Sequence, residues 1–284
     1  MTAVVVALAA SLAFGVSDFL GGVTSRRVPP MTVLFVAQTF GLVLIGLAVL
    51  LFAGAPPDSG FVPYALTAGA LGVVGVGALW RGLSVGVVSI VTPITAAGPV
   101  IPVLVALAEG ERPAALQVAG MVCIFAGVML VSRTPNGEGA ERAAGGRRIA
   151  AGVGFGLLAA ICFGSLFVFV DQAAEESVLW GALVARIAAV ALVAGAVIAV
   201  RHRVVAKREE VPGLLVIGAG DMTANVLLGA ATTLGLLSIA AVLISLHILV
   251  TIGLARIVLH ERLTPTQRVG VVAATLGAVM LSAA

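Results

Sequence analysis

Two ionisable side chains lie deep inside long apolar segments of this sequence, Arg186 and Asp221. A charged residue in a membrane span costs about 2.5–3.5 kcal/mol on insertion scales, so each needs a partner, a hydrated cavity or the interface. Asp221, Asn225 and Thr232 share one face of a helix. Two interpretations stay open: a buried ion pair that only holds two helices together, or cavity residues that bind a zwitterion or exchange a proton.

Two further titratable residues fall within apolar segments. Asp18 shares a face with Ser11 and Gly15, and such a face can pack closely or line a cavity. The alternative is a hydrated carboxylate near the membrane interface. His247 is the only histidine inside an apolar segment, with Thr251 one helical turn later. In a proton-coupled carrier this imidazole would be a natural titrating group, but a lone histidine often just satisfies a neighbouring polar group.

Three prolines interrupt the fourth apolar segment: Pro93, Pro99 and Pro102. Each removes one helical hydrogen bond and pushes away the carbonyl four residues earlier, so we predict a kinked or broken helix. Thr92 and Thr95 fall on the same side as Pro99 and Pro102. The displaced carbonyls could face a cavity where water or substrate binds them, or neighbouring helices could satisfy them. The carbonyls concerned are those of Ser89, Thr95 and Gly98.

These observations lead to a set of candidate substrate-binding residues. Gln38 is included because a repeat in the sequence aligns it with Arg186. Arg81 is included although its place near the end of a span also suits a side chain that extends to the lipid headgroups. The candidates are Asp18, Gln38, Trp80, Arg81, Thr92, Pro93, Thr95, Pro99, Arg186, Asp221, Asn225 and His247.

Enzymatic chemistry has little support in the sequence. The segment 82–86 matches the nucleophile-elbow pattern, and Asp221 and His247 follow in the order of a serine hydrolase, but the segment bridges two apolar helices instead of a strand and a helix. Lys207, the only lysine, lies in a polar loop, so neither a Walker A loop nor a Schiff base can be built. HExxH, paired CxxC and EF-hand spacings are absent. We therefore expect no enzyme activity, no cofactor and no metal.

The elements that position these residues follow from the composition. Hydrophobic residues make up 61% of the 284 residues, charged residues 10%, and the mean hydropathy is +1.20. A water-soluble fold is therefore excluded. One membrane-spanning helix takes roughly 20 apolar residues, so the chain is long enough for ten. The predicted spans are 3–22, 32–52, 63–81, 87–107, 114–132, 149–170, 178–200, 212–236, 239–259 and 266–283.

The basic residues indicate a topology and not a nucleic-acid partner, because they lie between apolar segments instead of on one basic face. Thirteen of the 16 Lys and Arg residues follow odd-numbered spans, whereas the opposite side has only Arg112. Since basic loops stay in the cytoplasm, both termini are predicted to lie outside. The protein is accordingly predicted to be a multi-pass protein of the cell (inner) membrane.

The sequence contains an internal repeat. Residues 110–132 align without a gap on residues 260–282, at an offset of 150. A weaker match places the residues "LAFG" at 12–15 on "ICFG" at 161–164. The matching pairs in the stronger alignment are Glu111/Glu261, Arg112/Arg262, Gln117/Gln267, Gly120/Gly270, Gly127/Gly277 and Ser132/Ser282.

Each repeat contains five spans, and an odd number forces the second copy to insert upside down relative to the first. This inverted-repeat architecture is typical of secondary transporters, in which the substrate binds near the membrane midplane between the halves. The predicted divisions are a first repeat at 1–132, a polar linker at 133–148 and a second repeat at 149–284.

The ten-span duplicated plan, the "GER" and "HERLTPTQ" motifs and "FGVSDF" near the start resemble the drug/metabolite transporter superfamily, in its EamA-like branch. The resemblance covers essentially the full chain. It implies a basket of ten helices with a central cavity that exports or exchanges metabolites such as amino acids. Members commonly keep their termini in the cytoplasm, whereas the charges here predict the reverse, and we follow the charges.

The sequence therefore predicts an all-α integral membrane protein with ten transmembrane helices in two inverted five-helix repeats. The expected function is secondary transport of a small metabolite, driven by a solute or proton gradient. A passive facilitator is the alternative within transport, and a membrane scaffold or lipid-interacting protein is the alternative outside it. The expected partners are a small-molecule substrate and the lipid bilayer. The oligomeric state stays open.

The charge distribution generates a topology prediction. In a variant without native cysteines, a single cysteine at position 136 should react only with reagents that reach the cytoplasm, and one at position 58 only from outside, because basic loops stay inside. Labelling of intact cells with a membrane-impermeant maleimide measures both. The opposite pattern would contradict the charge argument.

Overall fold

The protein is almost entirely helical. The computed structural model describes residues 2–85, 88–132, 146–258 and 264–283, and no strand occurs in these ranges. One 3-10 turn lies at Ser59–Phe61. The helices are α1 (Thr2–Thr24), α2 (Pro30–Phe52), α3 (Val62–Val85), α4 (Val88–Ala96), α5 (Val100–Ala108), α6 (Ala115–Val131), α7 (Gly146–Glu176), α8 (Val178–Ala199), α9 (Val211–Leu234), α10 (Leu237–Ile244), α11 (His247–Val258) and α12 (Pro265–Ala283).

Eight helical stretches within the described ranges are long and apolar enough to cross a membrane. The pairs α4–α5 and α10–α11 each form one of these stretches, and the shorter α6 and the terminal α12 bring the described segments to ten. Their outward faces carry large apolar side chains such as Leu50, which is 82% exposed. Hydrocarbon is the solvent that suits such a surface. The predicted all-helical membrane fold is confirmed.

The fourth segment is broken, as its prolines predict. α4 ends at Ala96 and α5 begins at Val100. Tight turns use the carbonyls at the break: Thr95 O accepts from Gly98 N at 3.0 Å, and Gly98 O accepts from Ile101 N at 3.0 Å. Short-range bonds of the chain itself therefore give each of these two carbonyls a partner, an arrangement outside the two alternatives that the sequence left open.

A second break, between α10 and α11, was not predicted because it contains no proline. It follows Ile244, and side chains there compete with the helical hydrogen bonds. Ser245 Oγ donates to Val242 O at 2.6 Å, and His247 Nδ1 lies 3.0 Å from Ile244 O. Such local side-chain bonds offer the backbone an alternative to continued helix. The fourth helix of each repeat is therefore interrupted.

The two repeats interlock. α1 packs against α9 and α3 packs against α7, so the first helix of each repeat contacts the third helix of the other. The second helices follow the same rule, because α2 packs against α9 and α8 packs against α3. Of the predicted linker at 133–148, residues 133–145 lie outside the described residues, and α7 begins at Gly146.

The closest contact between the last helices of the repeats depends on glycines. A Cβ on Gly127 would lie 2.6 Å from Gly270 O, and a Cβ on Gly277 would lie 2.5 Å from Gly120 O. Gly120, near the start of α6, therefore lies against Gly277, near the end of α12. Gly127, near the end of α6, lies against Gly270, near the start of α12. The two helices run antiparallel, as two inverted repeats require.

The polar residues of the repeated motifs cap helices. Gln117 Oε1 accepts from Ala114 N at 2.7 Å, and Gln267 Oε1 accepts from Thr264 N at 3.0 Å. Glu111 binds the start of α10 in the other repeat, where its Oε1 accepts from Leu237 N at 2.7 Å. A carboxylate is favourable at a helix N-terminus because unpaired N–H groups point toward it. Glu261 and Arg262, which match Glu111 and Arg112 in the second repeat, lie outside the described residues.

The glycine contact generates a stability prediction. Gly127→Ala should destabilise the protein by about 1–3 kcal/mol, because the added methyl overlaps the backbone of α12. Gly154→Ala is the matched control, since nothing lies within 4 Å of a Cβ at Gly154. There alanine should be neutral or stabilising by up to about 1 kcal/mol through helix propensity. Thermal unfolding of both variants in detergent measures the difference, and equal melting temperatures would contradict the close approach.

Candidate functional site

A cavity of about 1210 Å³ lies between the two repeats. α1, α2, α3, α7, α8 and α9 contribute its walls, together with the broken segments α4–α5 and α10–α11. A space of this size accommodates a small organic molecule with water. It occupies the position that an inverted repeat predicts for a binding site.

The cavity opens toward one side of the membrane. At the end where α3 and α11 finish, the lining residues Trp80, Ser84 and Arg256 are exposed. At the opposite end, the lining residues Ala173 and Gly181 are buried. The open side carries the loop that follows α1, and this is the side that the basic residues predict to be cytoplasmic.

An ion pair within the cavity wall joins α8 and α9. Arg186 Nη1 lies 2.7 Å from Asp221 Oδ2, and it also donates to Gln38 Oε1 on α2. Arg186 is only 5% exposed, whereas Asp221 is 29% exposed. The arginine is thus enclosed by its partners, and the aspartate still faces the cavity.

Asn225 supports the aspartate from the next turn of α9. Its Nδ2 donates to the backbone carbonyl of Asp221 at 2.8 Å and lies 3.5 Å from Asp221 Oδ1. The i, i+4 spacing therefore places both side chains on the cavity face of one helix.

A second pair of titratable groups lies nearer the open side. His247 Nε2 is 3.6 Å from Asp18 Oδ2, and His247 Nδ1 is 3.0 Å from Ile244 O. A carbonyl only accepts, so Nδ1 must carry a proton to bond with it. A neutral His247 then presents the lone pair of Nε2 to Asp18, and only a protonated ring can donate to that carboxylate. The two pairs are therefore chemically different.

The threonines of α4 line the cavity while bonding to backbone carbonyls. Thr92 Oγ1 donates to Ser132 O at 3.0 Å, and Thr95 Oγ1 donates to Val91 O at 3.0 Å. Arg81 and Pro93 are not among the lining residues, and Arg81 is exposed near the end of α3. The candidates that do line the cavity are Asp18, Gln38, Trp80, Thr92, Thr95, Pro99, Arg186, Asp221, Asn225 and His247.

Two groups of lining residues were not among the sequence candidates. Polar residues of α1 and α11 form the first: Ser17 Oγ donates to Ile217 O at 2.8 Å, and Thr251 Oγ1 donates to Gly15 O at 3.1 Å. Apolar residues of α7 form the second and include Phe163 and Phe167. The sequence did offer one signal for them. The two phenylalanines are four residues apart and lie on either side of Gly164, the glycine of the repeated "ICFG" motif.

The repeated glycines of the "LAFG" and "ICFG" motifs lie against the helix breaks. A Cβ on Gly15 would meet His247 O at 2.7 Å, and a Cβ on Gly164 would meet Ile101 Cβ at 2.9 Å. The first helix of each repeat thus contacts the broken helix of the other, beside the cavity. The absence of a side chain allows this approach.

Two inverted five-helix repeats around a central cavity, with broken helices in its wall, define the architecture of a membrane transporter. The sequence model of the EamA-like transporter family matches residues 1–133 and 150–283. The chain therefore belongs to the EamA-like transporter family and is a multi-pass membrane protein with a transport role for a small molecule.

Other comparisons bear on the fold alone. A crystal structure of a protein superposes with a TM-score of 0.79 over 99% of this chain and 97% of that chain, at 17% sequence identity. No curated protein matches the sequence. The architecture is thus shared with a solved structure, while the substrate has to be argued from this chain's own residues.

The ion pair generates a prediction that separates its two interpretations. Asp221→Asn should destabilise the protein by about 3–5 kcal/mol, because it leaves the buried cation of Arg186 without its anion. An Arg186→Gln/Asp221→Asn variant should recover much of that loss. Thermal unfolding in detergent measures both, with Asp58→Asn as a control at an exposed carboxylate. A fully stable Asp221→Asn variant would show that the pair does not hold α8 and α9 together.

Proposed function

We propose that this protein is a secondary transporter of the cell (inner) membrane that exports or exchanges a small metabolite through the cavity between its repeats. The observation that carries the proposal is a large cavity between inverted repeats, open at one end, with paired charges inside the apolar part of the chain. Intramembrane charges are expensive and are mostly kept where they bind a substrate or an ion. Amino acids are candidate substrates because they are small and zwitterionic.

Alternating access is supported by the way the repeats contact one another. The closed end is held by α10, whose residues other than Ile239 are buried and whose start is bound by Glu111. The two repeats make equivalent contacts, α1 with α9 and α3 with α7. If each repeat adopted the conformation that the other now has, these equivalent contacts would be exchanged. The cavity would then close at its present open end and open at its present closed end. In this proposal the structure corresponds to the state that is open to the cytoplasm.

Coupling to a proton gradient is supported by the geometry of His247. Imidazole changes its charge near physiological pH, and protonation would turn Nε2 from an acceptor into a donor toward Asp18. Asp18 is the titratable group of α1 that faces it, Arg256 shares its helix, and Asp221 acts electrostatically on Asp18 from α9. A proton on His247 would therefore change the charge of the cavity at the carboxylate nearest the open side.

Transport is tested in proteoliposomes that contain the full chain. Saturable uptake of a mixture of radiolabelled amino acids is expected, faster when unlabelled amino acids are trapped on the other side or when a pH gradient is imposed. Saturable uptake that never exceeds equilibrium would identify a passive facilitator. A wider screen of small metabolites by thermal stabilisation precedes the flux measurement, because a bound solute stabilises the folded state. The absence of binding and of flux for every solute would overturn the transport proposal.

His247 generates a specific prediction within this assay. His247→Gln should reduce gradient-driven accumulation at least about ten-fold while solute exchange at equal pH persists, because an amide supports hydrogen bonds but does not titrate. His202→Gln is the matched control: His202 bonds to Thr32 at 2.9 Å, and neither residue lines the cavity. Unchanged accumulation in the His247→Gln variant would exclude His247 as the coupling group.

A further inference from the structure

We propose that the cavity selects solutes that carry an ammonium group on an apolar body, with Asp18 binding the ammonium and the wall formed by α3 and α7 receiving the body. This inference rests on the proposed transport function and names the substrate class of the same cavity. It follows from which charges in the cavity are already bound and from a difference between the two repeats.

The cationic side chains of the cavity offer little to an anionic solute. Within the described residues, the ionisable side chains that line the cavity are Asp18, Arg186, Asp221, His247 and Arg256. Arg186 is almost completely buried and is bound by Asp221 and Gln38. Arg256 lies in the last turn of α11 at the exposed mouth. Inward of this mouth, a solute carboxylate would therefore meet two aspartates, His247 and an arginine that is enclosed by its own partners.

Asp18 is the anion best placed to bind a solute. Its side chain is 52% exposed, and His247 Nε2 lies 3.6 Å away, beyond the range of a hydrogen bond. Because His247 Nδ1 faces the carbonyl of Ile244, the neutral imidazole offers Asp18 a lone pair and no donor. An ammonium group would bind both, donating one hydrogen to Asp18 and another to His247 Nε2. Its three donors suit two acceptors at this separation.

The opposite wall is apolar. α3 contributes Val73 and Val76, and α7 contributes Phe163, Leu166 and Val170. Phe163 lies directly against α3, because a Cβ on Gly75 would be only 2.8 Å from its ring. When an apolar body binds this surface, apolar area of both the solute and the wall is removed from water. This burial contributes a favourable free energy of roughly 25 cal/mol per Å² of area buried.

The division of the cavity into two walls reflects a difference between the repeats. Asp18 on α1 and Asp221 on α9 belong to helices that pack together, and Ser17 bonds α1 to α9. The "LAFG" and "ICFG" motifs, and likewise the bounds of α3 and α9, are related by an offset of 149. At this offset the residues that correspond to the two aspartates are Phe167 on α7 and Gly72 on α3. One half of a duplicated cavity therefore keeps carboxylates while the other half has an aromatic ring and a glycine. A solute with a cationic and an apolar end matches this arrangement.

Three probes that share a phenyl body test the inference. Binding of 2-phenylethylamine, phenylalanine and 3-phenylpropionate to the purified full chain is measured by calorimetry and by thermal stabilisation. The amine should bind at least about ten-fold more tightly than phenylalanine, and 3-phenylpropionate should not bind, because Arg186 is already paired. Equal or tighter binding of the carboxylate, or no binding of any probe, would overturn the inference.

Variants locate the two contacts. Asp18→Asn should weaken 2-phenylethylamine binding at least about ten-fold, Asp18→Glu should restore part of it, and the exposed-loop control Asp58→Asn should leave it unchanged. Phe163→Ala should weaken the amine several-fold without altering the preference for amine over carboxylate. Full amine affinity in a folded Asp18→Asn variant would overturn the role of Asp18.

The same assays distinguish this inference from the transport proposal. Flux of 3-phenylpropionate or of acidic amino acids, without binding of the amine, would leave transport intact and overturn the ammonium preference. Amine binding that depends on Asp18, without flux of the amine or any other solute in proteoliposomes, would support the binding site and overturn transport.

Discussion

The structure depends on close approach between helices of opposite repeats, which glycines make possible. Hydrocarbon offers no hydrophobic driving force between helices, so association in a membrane comes from van der Waals packing and a few hydrogen bonds. Gly120 and Gly127 on α6 meet Gly277 and Gly270 on α12 at backbone distance. Gly164 on α7 approaches the break after α4 in the same way. Each contact joins one repeat to the other, so the cavity between them has walls of defined position.

The helix breaks show how the chain provides hydrogen-bond partners for backbone groups to which hydrocarbon cannot bond. Continuous helices solve this problem internally, whereas a break exposes carbonyls and N–H groups that must find partners. At the break after α4 the partners are neighbouring N–H groups in tight turns, and at the break after α10 the side chains of Ser245 and His247 bond to nearby carbonyls. At another helix end, the start of α10, the partner is the carboxylate of Glu111. The glutamate of the "GER" motif therefore acts on structure, whereas Asp18 of "FGVSDF" and Gln267 of "HERLTPTQ" line the cavity.

The two charged pairs of the cavity differ because their burial differs. Arg186 is enclosed by Asp221 and Gln38, and breaking such a pair leaves an uncompensated charge in a low-dielectric environment. Asp18 and His247 are more exposed and lie slightly too far apart for a hydrogen bond. A tight pair suits a structural role, and a loose pair between titratable groups can respond to a solute or a proton. The sequence contains all four residues, but only their distances separate these roles.

The apolar segments, their number and their duplication are properties of the sequence alone, because bilayer thickness sets the length of each span and an odd number of spans inverts the second copy. The break at Pro99 was equally predictable, since proline acts locally through its ring and its missing N–H. The break at Ser245 rests on local side-chain bonds that no proline signals. The partners of Arg186 and the apolar wall around Phe163 were decided by the tertiary structure. These features depend on how each helix is rotated about its axis, and contacts between residues far apart in the chain determine that rotation.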